Sequence, residues 1–165
     1  MPKKNLLIVY HTQTKGTQQM VQALANEASG VEDLIVTIQP AGQTVAADLM
    51  AADAYVFASP EYLAGMSGVM KDFFDRTYYE LLGKIEGRPY ATLICAGSDG
   101  AAAARQIQRI VTGWRLKAVS EPIIVNVHAQ TYAQIMRVKK LSAQQLKPCQ
   151  ELGALMGAGL TMGIY

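Results

Sequence analysis

The chain has 165 residues, 50% of them hydrophobic and 17% charged, a composition that points to one folded domain and excludes a disordered chain. Fifteen basic and thirteen acidic residues leave a net charge of +2, too small and too dispersed to demand a nucleic-acid partner. Cys95 and Cys149 lie far apart, without metal-type spacing, which argues against a disulfide framework or a structural zinc site in a chain that reads as cytoplasmic.

The basic start runs into a short apolar stretch that ends in polar residues, so Asn5 to Tyr10 reads as a first strand rather than as a signal peptide. The polar segment "HTQTKGT" (His11 to Thr17) follows. A helical pattern then places Met20, Val21, Leu24, Ala25 and Ala28 on one face, with Gly30 as a stop signal. Asp33 to Gln39 is a second strand. Thr44 to Ala52 is a short helix with Thr44 as its expected N-cap. Ala54 to Ser59 is the third strand, followed by the loop "SPEYLAGMSG" (Ser59 to Gly68). A helix from Ser67 to Leu82 turns Met70, Phe73, Phe74 and Thr77 inward. Tyr90 to Gly97 is the fourth strand and runs into "AGSDGA" (Ala96 to Ala101). The next helix, Ala101 to Leu116, turns Ile107, Ile110, Val111 and Trp114 inward, and Pro122 to Val127 is the fifth strand. Asn126 to Leu141 has the least regular pattern and reads as a long surface loop, with "VKKL" at Val138 to Leu141 solvated. Ser142 to Gly163 is the last helix, with Pro148 in its first turn or at a kink. Its apolar end, thirteen residues from Leu152 to Ile164, falls short of the roughly twenty residues that span a bilayer. The small residues there point to close packing on a sheet.

Five strands alternating with five helices describe a three-layer α/β sandwich around a parallel sheet. In such sheets ligands bind beyond the carboxyl ends of the strands. Three loops meet that description: His11 to Thr17, Ser59 to Gly68 and Ala96 to Ala101. In the first, a helix start exposes unpaired backbone N–H groups and the positive end of a dipole. Thr12, Thr14 and Thr17, with the Gln13 amide, add neutral donors, a set suited to a phosphate monoester. One threonine would suffice as a helix cap, so three favour the phosphate reading. The segment lacks the G-x-G-x-x-G dinucleotide fingerprint and the Walker G-x-x-x-x-G-K-[ST] pattern.

The T-x-T pattern followed by G-T after the first strand resembles the phosphate loop of the flavodoxin-like FMN-binding superfamily. The run "ASPEYLAGMSGVMKDFFDR" resembles, more specifically, the loop and helix of NAD(P)H-dependent FMN reductases and flavodoxin-fold quinone reductases. The resemblance covers about Asn5 to Val127. It implies a flavodoxin-like sandwich with strand order 2-1-3-4-5 and a non-covalent FMN. On this chain, His11, Thr12, Gln13, Thr14, Lys15, Gly16 and Thr17 would surround the phosphate. Ser59, Pro60, Glu61, Tyr62, Leu63, Ala64 and Gly65 would line the isoalloxazine and ribityl chain. Ala96, Gly97, Ser98, Asp99 and Gly100 would close the far side of the ring. Lys15 stands where relatives usually carry glycine, and a left-handed backbone there would strain it.

The resemblance further implies hydride transfer from NAD(P)H and ping-pong turnover with a small planar acceptor such as a flavin or a quinone. No dedicated acid–base pair is needed, so no side chain is assigned a catalytic role, and no metal cluster can be assembled. A flavodoxin-type electron carrier is the alternative, although such carriers tend to be strongly acidic and this chain is not. The aromatic-rich "FFDRTYYELL" exceeds what one amphipathic face needs. Exposed Tyr78, Tyr79 and Leu82 would then mark a homodimer contact beside the flavin loop. No nucleic-acid or membrane partner is expected.

Overall fold

The computed structural model describes residues 2–165. Among the described residues seven strands form one sheet: β1 (Lys4–Tyr10), β2 (Leu34–Pro40), β3 (Ala54–Tyr62), β4 (Gly65–Met66), β5 (Pro89–Ala96), β6 (Lys117–Ala118) and β7 (Ile123–Asn126). The helices are α1 (Gly16–Ala28), α2 (Ala46–Ala51), α3 (Gly68–Leu81), α4 (Ala101–Gly113), α5 (Tyr132–Met136) and α6 (Ala143–Thr161). The main strand path is β2-β1-β3-β5-β6, and β7 pairs with β5 further along the edge that β6 begins. The five expected strands are therefore β1, β2, β3, β5 and β7, in the expected order. The two additions are two-residue strands: β6, and β4, which pairs antiparallel with the end of β3.

The period-two geometry of a strand sends successive side chains to opposite faces. Leu6 and Ile8 of β1 join the core under α1 and α6, whereas Leu7 and Val9 join the core under α2, α3 and α4. The second core is aromatic. Phe57 packs against Phe73, Phe74, Tyr90 and Trp114, and the Trp114 indole donates to the Tyr78 carbonyl at 2.9 Å. The edge strand β2 is less covered than its apolar sequence implies, and Ile35 and Ile38 are exposed. Tyr78 turns inward and stacks on Trp114, which leaves Tyr79 and Leu82 as the exposed remainder of the aromatic patch.

Three expectations need correction, two of them only in part. Thr44 does not cap α2; its hydroxyl donates to the Pro40 carbonyl, and the Asp48 carboxylate accepts the Val45 N–H at 2.8 Å instead. Small residues near the C-terminus approach a helix as well as the sheet: a Cβ on Gly153 would meet the Leu24 carbonyl of α1, and one on Gly157 would meet Val31 and the Leu34 side chain at the start of β2. The segment before α6 is largely exposed, as expected, but it is neither irregular throughout nor free of the domain. It contains α5 and folds back over the carboxyl rim of the sheet, and the Lys139 N–H donates to the Thr14 carbonyl at 2.7 Å. The start of α6 is as expected, with a reciprocal Ser142–Gln145 capping box. No helix among the described residues is long and apolar enough to cross a membrane.

Candidate functional site

β1 ends at Tyr10, and the chain turns through His11 to Lys15 before α1 begins at Gly16. Lys15 occupies the N-cap with φ +69°, the left-handed region that favours glycine. Its side chain is exposed. Among the described residues, no acceptor meets the backbone N–H groups of Thr12 through Thr17. The hydroxyls of Thr12 and Thr17 are buried and also lack partners. Unpaired buried polar groups are rare because each forfeits its hydration without replacement. Two in one six-residue turn, beside a helix N-terminus, form a cradle of neutral donors.

The second loop is a tight hairpin. Tyr62 pairs with Gly65 across β3 and β4, with Leu63 and Ala64 at φ +49° and +63°. Two left-handed residues in a two-residue turn normally call for Asn-Gly, so Leu-Ala is a strained choice. The turn lifts Leu63 fully into solvent. Ser67 fixes the exit: its hydroxyl caps α3, and its N–H donates to the Ser59 hydroxyl at 3.0 Å. The His11 Nδ1 lies 2.9 Å from the same Ser67 hydroxyl, which ties the first loop to the second. Burial holds the His11 pKa below its usual value. The Tyr62 hydroxyl donates to the Gln13 side-chain oxygen and makes a second tie.

The third loop follows β5. Gly97 packs against the Ala129 carbonyl, where a Cβ would stand 3.1 Å away, and its own carbonyl accepts the Ala129 N–H at 2.9 Å. Gly100, at φ +89°, precedes α4, and its N–H donates to the Glu61 carboxylate. Glu61 thus braces the second and third loops and lies where the positive end of α4 favours an anion. Asn126 donates its amide to the Ser98 carbonyl. The N–H groups of Ser98 and Asp99 meet no acceptor among the described residues.

The three loops enclose a cleft of about 550 Å³, inside the range of roughly 300–1,000 Å³ for small-molecule sites. Thr12, Gln13, Thr14, Gly16 and Thr17 line one end. Pro60, Glu61, Tyr62, Leu63 and Ala64 form one wall, and Ala96, Gly97 and Ser98 form the other. The remaining expected residues stand behind this surface. His11 and Ser59 belong to the Ser67 network, Gly65 packs on the Gln106 side chain, Asp99 turns to the start of α4, and Gly100 receives Glu61. Lys15 sits outside. Sequence reasoning missed Cys95, Val127, Ala129, Ile135 and Lys139. Cys95 is one residue short of the end of β5, so strand-end position alone would have nominated it. The other four lie on the strap from Val127 to Leu141, whose sequence has no period to read.

Residues 19–131 match the family model described as NADPH-dependent FMN reductase. A protein from Aquifex aeolicus (strain VF5) described as flavodoxin is 24% identical over 153 residues, covering 90% of this chain and 82% of its own. An archaeal flavodoxin structure superposes with a TM-score of 0.76 at 18% identity, covering 95% of this chain and 99% of its own. A flavodoxin, WrbA-like protein from Agrobacterium tumefaciens superposes with a TM-score of 0.76 at 19% identity, covering 97% of this chain and 99% of its own.

Proposed function

The chain belongs to the NADPH-dependent FMN reductase family, and on that premise we propose that it is an FMN-dependent oxidoreductase. It takes electrons from a nicotinamide nucleotide and passes them to a free flavin, a quinone or a related planar acceptor. The single observation that carries the cofactor reading is the pair of buried, partnerless hydroxyls of Thr12 and Thr17 in a turn of unpaired N–H groups. A phosphate monoester would satisfy all of them.

The residues present fit the group. Thr12, Thr14, Gly16 and Thr17 would hold the phosphate, and Pro60 to Ala64 and Ala96 to Ser98 would flank the ring. Bound there, FMN would supply the hydride and electron transfers that no side chain here provides. The protein's part is to orient and to tune. The unpaired N–H groups of Ser98 and Asp99 would favour negative charge on the ring's polar edge. Tyr62 offers an aromatic wall for the second substrate, positioned by Gln13. The Glu61 carboxylate is engaged by Gly100 and acts as a brace rather than as a base.

Alternating, ping-pong turnover follows if both substrates use the same open side of the cleft. The test is anaerobic mixing of the FMN-loaded protein with NADH or NADPH. Rapid bleaching of the flavin by either nucleotide, followed by recolouring on addition of a quinone, is the expected result. A second reading, an electron carrier without nicotinamide activity, is favoured by the likeness to the Aquifex aeolicus flavodoxin. Under it, neither nucleotide bleaches a flavin that dithionite does bleach.

A further inference from the structure

We propose that Lys139 is a cationic ligand of the cofactor phosphate, delivered to the threonine cradle by the strap between β7 and α6. The inference deepens the cofactor reading above and rests on it.

The backbone of Lys139 is fixed from both sides. Its N–H donates to the Thr14 carbonyl at 2.7 Å, and its carbonyl accepts from the Gln19 amide at 2.8 Å. The same Gln19 amide also donates to the Lys15 carbonyl at 2.8 Å, and its oxygen accepts the Leu141 N–H at 2.9 Å. One side chain in the first turns of α1 therefore clamps the strap to the loop that precedes the helix.

From this anchor the lysine stem crosses the start of α1. A Cβ on Gly16 would stand 3.5 Å from the Lys139 Cγ, an ordinary packing distance. The ammonium reaches the cleft wall, where it meets the Arg137 carbonyl at 2.7 Å, the Ile135 carbonyl at 2.9 Å and the Thr14 hydroxyl at 3.4 Å. All three partners are neutral. Among the described residues no carboxylate pairs with it. Partial burial lowers its pKa; the nearby Cys95 opposes that shift and Arg137 adds to it. A half-buried cation without a counter-ion, held at the wall of a cradle built for an anion, is placed to receive one.

Lys15, the more obvious cation of the loop by sequence, sits outside the cleft. Lys139 lies beyond the segment matched by the family model, which ends at residue 131. It sets one positive charge beside a cradle otherwise made of neutral donors. It predicts tight discrimination between phosphorylated and unphosphorylated flavin, with an electrostatic part that salt weakens.

The experiment is titration of wild type, Lys139→Met, Lys139→Gln and Lys140→Met with FMN and with riboflavin, followed by flavin fluorescence at low and high salt. Melting curves verify that each variant is folded. We expect both Lys139 variants to weaken FMN by roughly tenfold or more. Riboflavin binding should stay within about twofold, and the salt dependence of FMN binding should shrink. Lys140→Met should bind both flavins like wild type. Equal weakening of FMN and riboflavin would reduce Lys139 to a packing role and overturn the proposal, as would unchanged FMN binding. Wild type that binds riboflavin and FMN alike overturns the phosphate contact, whereas wild type that binds neither overturns the cofactor reading itself.

Discussion

Gly16 and Cys95 touch: a Cβ placed on Gly16 would lie 2.5 Å from the Cys95 sulfur. The first residue of α1 is pressed onto the Cys95 side chain at the cleft, so the loop before α1 can sit low against β5. Gly16 has no left-handed φ, so the constraint is space alone. Gly16→Ala should therefore destabilise by about 1–3 kcal/mol and weaken FMN binding. Removing the sulfur in Gly16→Ala/Cys95→Ala should recover most of both, since the remaining neighbours stand at 3.5 Å or more. A thermal-melt double-mutant cycle measures this, and additivity of the two changes would contradict it.

Burial pushes the Cys95 thiol up to about 11. Its contribution is shape rather than reactivity. Thiol-directed reagents at neutral pH should modify the folded protein far more slowly than the unfolded chain, an expectation that mass spectrometry checks directly.

The buried hydroxyl of Thr17 is without a partner, which lowers stability until a ligand engages it. Thr17→Val keeps the shape and removes the polar atom. The ligand-free variant should be more stable than wild type by about 1 kcal/mol, and its FMN affinity should fall roughly tenfold. Opposite signs for stability and binding are the signature of a group kept for function. A loss of stability instead would mean that the hydroxyl is satisfied within the protein.

The depressed pKa of His11 makes stability depend on pH. Burial lowers it from 6.5, so the unfolded chain binds this proton more readily than the folded one. Its contribution is complete above 6.5 and is lost as pH falls from there through the lower folded pKa. Melting temperature should drop between about pH 7.5 and about pH 5.5, and His11→Asn should flatten that slope. Equal slopes would remove His11 as the cause.

The left-handed backbone of Lys15 carries strain that a glycine would not. Lys15→Gly should raise stability by up to about 1 kcal/mol, since the relief is partly offset by the entropy of a freer unfolded chain. FMN affinity should change little, because the lysine head lies outside the cleft. Thermal melts and a flavin titration read the two effects separately.

Strands such as Asn5–Tyr10 and Ala54–Ser59 were legible because consecutive apolar and β-branched residues mark a sheet covered on both faces. The three loops could be located because each follows such a strand and opens a helix. Individual roles within them were less visible. His11, Ser59 and Gly100 brace the loops through contacts with Ser67 and Glu61, and such pairings arise only when distant segments meet. Thr44 carried a capping residue's identity, but Asp48 reaches the Val45 N–H from within the helix and takes that place. Lys139 was hidden most completely. Its strap holds a five-residue helix with no buried face, so periodicity has nothing to register, and its role comes from the Gln19 clamp.

The most direct measurement is a titration of the ligand-free protein with FMN, monitored by flavin fluorescence and closed by a stoichiometry determination. The three-loop cleft predicts strong quenching that saturates at one FMN per chain, with much weaker binding in a Thr12→Val/Thr17→Val variant. No quenching by wild type, or equal binding by wild type and the variant, would contradict the placement of the cofactor phosphate in the threonine cradle.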